Sequence, residues 1–282
     1  MELLPLREAI ARHVRDGQSV ALEGFTHLIP FAAGHEIIRQ QRRNLHLLRM
    51  TPDVIFDQMI GMGCARQLTF SWGGNPGVGS LHRLRDAVEH QWPNPLMLIE
   101  HTHGEMAVAY QAGASGLPCG LMRRGAGTDL TQASAARVQT VSCPFSGVPL
   151  TAVPAINPDV TILHAQQVDA AGNVLIRGIL GAVKEAALAA RCLIVTVEEQ
   201  VERLDAGINS IVLPSWIVTA VSVVRGGAYP SYAHGYYSRD NAFYRQWDEI
   251  SRDRQDFSGW MRRHVLEALD HASHLELLGV GA

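Results

Sequence analysis

The sequence has a single lysine, Lys184, so arginine carries nearly all of its 24 Lys+Arg positive charges. Arginine's planar fork suits carboxylates and phosphates held by two bonds at once. Positive charge is not in excess: Asp+Glu 27 brings the formal net charge to −3, which excludes a mainly electrostatic nucleic-acid binder. The four cysteines, Cys64, Cys119, Cys143 and Cys192, are scattered, with no CxxC pair and no Cys/His ligand spacing. Neither a zinc site nor a disulfide framework is encoded, and reduced thiols are expected. Uninterrupted apolar runs never reach the roughly 18 residues of a membrane-spanning helix. The opening MELLPLREAIARHVRDG has an early acidic residue and arginines spaced along a helix, unlike a secretory signal. A cytoplasmic protein that neither spans a membrane nor binds nucleic acid is expected.

What is present is an ordinary globular composition, 47% hydrophobic over 282 residues, enough to bury a large core. Leu6, Ile10 and Val14 give the helical spacing of 6–14, and Ser19–Leu22 is a short apolar run. Pro30 opens a helix over 31–40; strand 45–50 and helix 54–60 follow, and then strand 67–70 with a helix from Leu81. Strand 96–100 leads through the loop HTHGEM to a helix over 107–114, and 120–150 reads as irregular, with 123–128 a loop. The strongest strands are 159–165 and 192–197, the latter nearly continuous in apolar residues and so central. Strand–loop–helix alternation is the pattern of an α/β sheet with crossovers. With no repeat, low-complexity tract or linker, one domain over 1–282 is expected, ending in a helix at about 251–269.

Several stretches carry chemistry. FSWGGNPGVGSLH, 70–82, is a glycine-rich loop between a strand and a helix. It lacks the Gly-Lys-Ser/Thr of a triphosphate loop and the offsets of a dinucleotide fingerprint. Its backbone N–H groups still suit a small anion or an acyl carboxylate, with Ser71, Asn75 and Ser80 as added donors; tight turns forced by packing are the alternative. EGFTHLIP, 23–30, follows a strand and precedes a proline-started helix, which places it at a sheet's carboxyl edge, where α/β proteins bind ligands. There Glu23 reads first as a buried cap of the neighbouring loop and second as a base or nucleophile. His27 is either a ligand contact or loop filling.

In HTHGEM, His101, His103 and Glu105 resemble half of a metal site, but His35, His82 and His164 offer no converging spacing, so no metal is expected. No GxSxG elbow supports a serine hydrolase. In LHAQQVDAAGNV, His164 and Gln166 share one strand face, and a structural hydrogen-bond network is the reading for His164. Four of the six tyrosines, at 229, 232, 236 and 237, lie in one segment; an interface between chains is preferred over a pocket lining.

EGFTH..P, FSWGGNPGVGSLHRLRDA, GASGLP, VPxxxPDVTILHAQQVDAAGNV, VTVEE and PSYAHGYYSRDNAFYRQWD occur in this order. Together they resemble the A (alpha) subunits of the family I CoA-transferases, over about 6–257, within the branch that handles glutaconate and 3-oxoadipate. The resemblance implies an open, largely parallel α/β sheet with helices on both faces and a homologous B subunit, in an A2B2 heterotetramer. It implies coenzyme A as a substrate, no permanently bound cofactor, and a nucleophilic glutamate that resides on B, so no catalytic residue is assigned to this chain. CoA would pass from succinyl-CoA to 3-oxoadipate, with a glutaconate-type transferase or a thioester or ring-opening hydrolase as alternatives. The substrate-binding expectation comprises Gly24, His27, Ser71, Gly73, Gly74, Asn75, Gly77, Gly79 and Ser80, with Gln111 from the helix after HTHGEM. Two departures stand out: Glu23, where the family commonly has glycine, and Ala228-Tyr229-Pro230, where a histidine often precedes the proline.

Overall fold

The alternating runs of the N-terminal third become parallel strands joined by helical crossovers. The computed structural model describes residues 1–123 and 138–280. In chain order the elements are β1 (Glu2–Leu3), α1 (Leu6–His13), β2 (Ser19–Leu22), α2 (Phe31–Arg39), β3 (Leu45–Leu48), α3 (Val54–Gly61), β4 (Ala65–Phe70), α4 (His82–Glu89), β5 (Met97–Glu100) and α5 (His103–Ala114). Then come β6 (Cys119–Met122), β7 (Gln139–Ser142), β8 (Pro149–Pro154), β9 (Val160–Val168), β10 (Val174–Arg177), α6 (Val183–Ala189), β11 (Cys192–Gln200), β12 (Ser210–Leu213) and β13 (Ala220–Val223). The described chain ends with α7 (Asn241–Arg252), α8 (Arg254–Met261) and α9 (His271–Leu277).

The main sheet runs β1-β13-β11-β9-β2-β3-β4-β5, parallel throughout, with β10 antiparallel to β9 and to β12. Alternation along each strand decides which helices it meets. Val20, Leu22, Val160 and Ile162 enter a core shared with Ile10, Phe31, Ile37, Phe56, Trp247 and Phe257, from α1, α2, α3, α7 and α8. On the opposite face the Thr161 hydroxyl donates to the Ala186 carbonyl of α6 at 2.9 Å, and Met106 and Tyr110 of α5 pack with Ala182 and Ala186. Helices therefore cover both faces.

Buried polar groups join the layers. Asp57, fully buried on α3, accepts the Arg83 and Leu84 N–H groups at 2.8 and 2.9 Å, capping α4, and the Trp247 indole N–H at 3.1 Å. Burial pushes its carboxyl up to about 6 in spite of these donors.

The structure departs from the sequence reading at three places, and a fourth reading falls outside the described residues. α5 begins at His103, not 107, because Thr102 and Glu105 form a capping box: Thr102 Oγ1 accepts the Glu105 N–H at 3.1 Å and Glu105 accepts the Thr102 N–H at 2.9 Å. Residues 139–142, read as irregular, form β7 in a small antiparallel sheet of order β6-β8-β7; every β7 side chain is exposed, so no apolar alternation marks it. Residues 124–128, read as loop, lie outside the described residues. The helix expected at 251–269 is broken: Asp253 is extended and its carboxylate caps α8 through the Gln255 and Asp256 N–H groups, while Asp270 caps α9.

The last helix closes on a buried histidine group. His35 on α2 and His274 on α9 have ring centroids 4.5 Å apart, and His271 donates to the Gly226 carbonyl at 2.8 Å. Burial above all depresses the three: His271 to about 3, His274 to about 4, and His35 well below its usual value.

Asp57→Ala strands three buried N–H donors and is expected to cost about 3 kcal/mol, read as a fall in urea midpoint with unchanged m-value. For the histidines the folded pKa values lie below 6.5, so between the two values the unfolded chain binds more protons. Their stabilisation is complete above about 6.5 and declines as pH falls toward the folded values. Glu23 and Asp57, raised by burial, act in the opposite direction, so the comparison is with a variant. His271→Gln keeps a donor for Gly226 and takes up no proton; its urea midpoint should drop less than wild type between about pH 7.5 and about pH 5.

Candidate functional site

Parallel strands β2, β3 and β4 are neighbours, so the loops that leave their carboxyl ends lie side by side. They meet at the backbone of one residue, Met50. The Met50 N–H donates to Glu23 Oε1 at 2.9 Å, and the Met50 carbonyl accepts the Ser71 N–H, the Ser71 hydroxyl and the Trp72 N–H at 3.1, 2.7 and 3.3 Å. Beside it the fully buried Arg49 spans two loops, donating to Asp53 at 3.0 Å and to the Gly24 carbonyl at 2.9 Å. The Tyr110 hydroxyl of α5 donates to the same Glu23 oxygen at 2.9 Å. Glu23 thus caps the neighbouring loop, the first of the two roles read from the sequence. A cavity of about 560 Å³ opens over this junction, lined by Phe25, Met50, His103, Gln111, Ala182 and Glu185 among others.

The loop 23–30 is tightly held. A Cβ on Gly24 would lie 2.7 Å from the Leu28 carbonyl oxygen and 2.9 Å from that of His27, so only glycine lets the backbone return so closely. Thr26 and Leu28 both adopt positive φ, 64° and 53°, a costly conformation for side chains of this kind. The 229–233 segment fixes them: Leu28 N–H donates to Tyr232 O at 2.9 Å and the Ser231 hydroxyl to Thr26 O at 3.1 Å. His27 is buried, its Nε2 donating to the Arg177 carbonyl at 2.9 Å, with Tyr232 against its ring. Burial pushes its pKa down. It packs the loop and does not line the cavity.

The glycine-rich loop divides into a buried root and an exposed tip. Gly74 is buried against the Trp72 ring, where a Cβ would sit 2.6 Å away. Asn75 is buried and its amide donates to the Tyr244 carbonyl at 2.7 Å, which ties the loop to α7. The Ser71 hydroxyl is spent on Met50. Gly73, Gly77, Gly79 and Ser80 are exposed; Gly77 turns the chain at φ 77°. Gln111 is exposed and lines the cavity. The Asn75 carbonyl accepts the Val78 and Gly79 N–H groups at 3.0 and 3.1 Å, so the donors left to meet a ligand are Ser80, the rest of the tip backbone and Gln111.

HTHGEM forms the first turn of α5, where Glu105 serves as the cap partner. Among the described residues no group of three or more His, Cys, Asp or Glu could hold a metal ion, and no helix is long and apolar enough to cross a membrane. His164 has the network read from its strand position: it meets Thr196 Oγ1 at 2.8 Å and Glu198 Oε1 at 2.7 Å, and Glu198 also accepts the Tyr237 hydroxyl and the Gly226 N–H at 2.6 and 2.8 Å. Burial raises the Glu198 carboxyl, but these donors outweigh it and hold it below its usual value. Tyr229, Tyr236 and Tyr237 line a cavity of about 470 Å³, the pocket alternative for that segment. Sequence reasoning misses Arg49, Met50, Asp53 and Tyr110; the available signal is a charged pair in the span Arg49-Met50-Thr51-Pro52-Asp53 at a strand's end.

A family model for coenzyme A transferases matches residues 4–223. The chain belongs to the coenzyme A transferase family. It is 61% identical over 264 residues to the A chain of the 3-oxoadipate CoA-transferase of Pseudomonas knackmussii, covering 94% of this chain and 93% of that one. The crystal structure of glutaconate coenzyme A-transferase from Acidaminococcus fermentans superposes with a TM-score of 0.90 at 29% identity, covering 99% of this chain and 93% of that chain. A decarboxylase, AibA/AibB, matches with a TM-score of 0.78 at 27% identity, covering 93% and 98%. The enzyme class is thus a CoA-transferase, and its parallel sheet with loops at the carboxyl edge is the family's fold.

Because Ser80 has no hydrogen-bond partner among the described residues and Asn75 bridges to α7, their alanine variants should differ in stability. Ser80→Ala is expected to stay within about 0.5 kcal/mol of wild type and Asn75→Ala to lose about 1–2 kcal/mol, compared by urea denaturation.

Proposed function

We propose that this chain is the A (alpha) subunit of a heteromeric 3-oxoadipate CoA-transferase that takes CoA from succinyl-CoA. The observation that carries the reading is 61% identity across 94% of the chain to the corresponding chain of an enzyme of that name; the fold alone does not select the reaction, since a decarboxylase shares it. The partner is a homologous B subunit, in an A2B2 assembly, in the cytoplasm. CoA is a substrate and no cofactor is permanently bound.

The route begins when the B-subunit glutamate carboxylate attacks the thioester carbonyl of succinyl-CoA, breaking the C–S bond and releasing CoA thiolate. The thiolate then attacks the glutamyl carbonyl of the mixed anhydride, giving a glutamyl-CoA thioester and free succinate. A carboxylate of 3-oxoadipate displaces the thiolate again, and its return onto the new acyl carbonyl frees the glutamate. Each tetrahedral centre develops an oxyanion, which fixed N–H donors stabilise without reorganising. This chain would supply that environment through the exposed tip of loop 70–82, with Gly73, Gly77 and Ser80 as its donors and Gly79, whose N–H goes to the Asn75 carbonyl, shaping the turn, and through Gln111 in the cavity beside Met50. Gly24, His27, Ser71, Gly74 and Asn75 would set the loops in place behind them. A distal carboxylate that loses its water shell needs such partners.

Turnover should require both subunits. With succinyl-CoA, mixtures of candidate acids and the assembled enzyme, formation of 3-oxoadipyl-CoA is expected to dominate, and this chain alone should be inactive. Release of free CoA without acyl exchange would establish a hydrolase, and a preference for monocarboxylic acids would remove the distal-carboxylate site. Ser80→Ala should lower kcat/KM by roughly tenfold to a hundredfold, the loss of one donor to a charged group.

A further inference from the structure

We propose that Glu23 is the positioning residue of this acyl site, holding in place the Met50 backbone on which the three loops converge. The inference rests on the reading of these loops as the acyl site. Glu23 is 2% exposed and sits directly behind the cavity wall: its Oε1 is 2.9 Å from the Met50 nitrogen, and Met50 lines the cavity. The same oxygen receives the Tyr110 hydroxyl from α5 at 2.9 Å, so the carboxyl ties the β3 loop to the helix that carries Gln111. In the next peptide unit the Met50 carbonyl holds Ser71 and Trp72, the root of the glycine-rich loop. Removing the carboxyl leaves two buried donors without an acceptor and releases the junction.

The charge on Glu23 is coupled to whatever occupies the cavity. Burial drives the carboxyl up to about 7, opposed by Arg49 and by donors from Met50, Tyr110 and Gly24. Arg49 faces it from the end of β3 and is itself paired with Asp53 at the start of α3; Tyr110 faces it from α5. His103 on α5 and Glu185 on α6 line the cavity beyond Met50. An anionic acyl group entering there favours the protonated carboxyl, because two like charges on either side of the Met50 backbone repel. Affinity for a dicarboxylate should then weaken as pH rises through about 7, the direction that linkage requires for a group whose proton is bound more tightly in the complex.

The test is steady-state kinetics of the assembled enzyme from about pH 6 to about pH 8, with KM and kcat for the acceptor acid resolved separately. Wild type should show KM rising above an inflection near 7. Glu23→Gln, neutral at every pH but still offering an oxygen to Met50 and Tyr110, should show a flat KM. Tyr110→Phe removes a donor that favours the charged form, so its inflection should move to higher pH. Glu23→Ala should lower kcat/KM by about tenfold or more, with assembly verified by gel filtration. An unchanged inflection in both Glu23→Gln and Tyr110→Phe overturns the proposal, as do wild-type constants in Glu23→Ala. If Ser80→Ala keeps its kinetic loss while the Glu23 variants match wild type, only this inference fails; if Ser80→Ala is silent as well, the acyl-site reading fails with it.

Discussion

The backbone hydrogen bonding of one residue, Met50, organises the carboxyl edge of the sheet. Its N–H and carbonyl together engage Glu23, Ser71 and Trp72, so the loops after β2, β3 and β4 cannot move independently. Backbone groups buried at such a junction must all be paired, or each costs the desolvation of a lost hydrogen bond. That requirement explains the concentration of buried polar side chains there. Glu23 completes the Met50 N–H, and Arg49 completes the Gly24 carbonyl while its charge is met by Asp53. A buried ion pair is weak support for stability, but losing one partner leaves an uncompensated charge. The arrangement therefore resists piecemeal change.

The second constraint is strain in the loop 23–30. Thr26 and Leu28 at positive φ persist only because segment 229–233 bonds both sides of His27. That segment is in turn held to the sheet through Tyr237, Gly226, Glu198 and His164. The Gly226 carbonyl receives His271 from α9. A continuous set of bonds thus links the C-terminal helix to the loop beside the cavity, and the histidines that close it stay neutral because burial disfavours their charged form. The C-terminal helices brace these loops without supplying a side chain to the cavity.

Much of this was legible from residue order. Apolar runs at β2, β3, β4, β9 and β11 alternate with helical spacing, and the glycine-rich and EGFTH loops lie after strands, hence at the carboxyl edge of a parallel sheet. Family membership was legible too, since it depends on motifs in sequence order. β7 was not, because an exposed edge strand has no burial pattern to betray it. The start of α5 was legible in principle through Thr102 and Glu105, a spacing that local capping explains.

Residue order was enough for the succession of strands and helices, the class of fold and which loops share one edge, because these follow from periodicities of two and of about 3.6 residues within short windows. What each loop residue does was settled only by packing. Asn75 became a tie to Tyr244 across 169 residues, and Glu23 met Tyr110 across 87. Within the glycine-rich loop, burial separated Gly74 and Asn75 from an exposed Gly77 and Ser80 of the same local composition. Hydrogen bonding depends on which atoms packing brings within about 3 Å, and such distances between remote segments are not encoded in any local pattern.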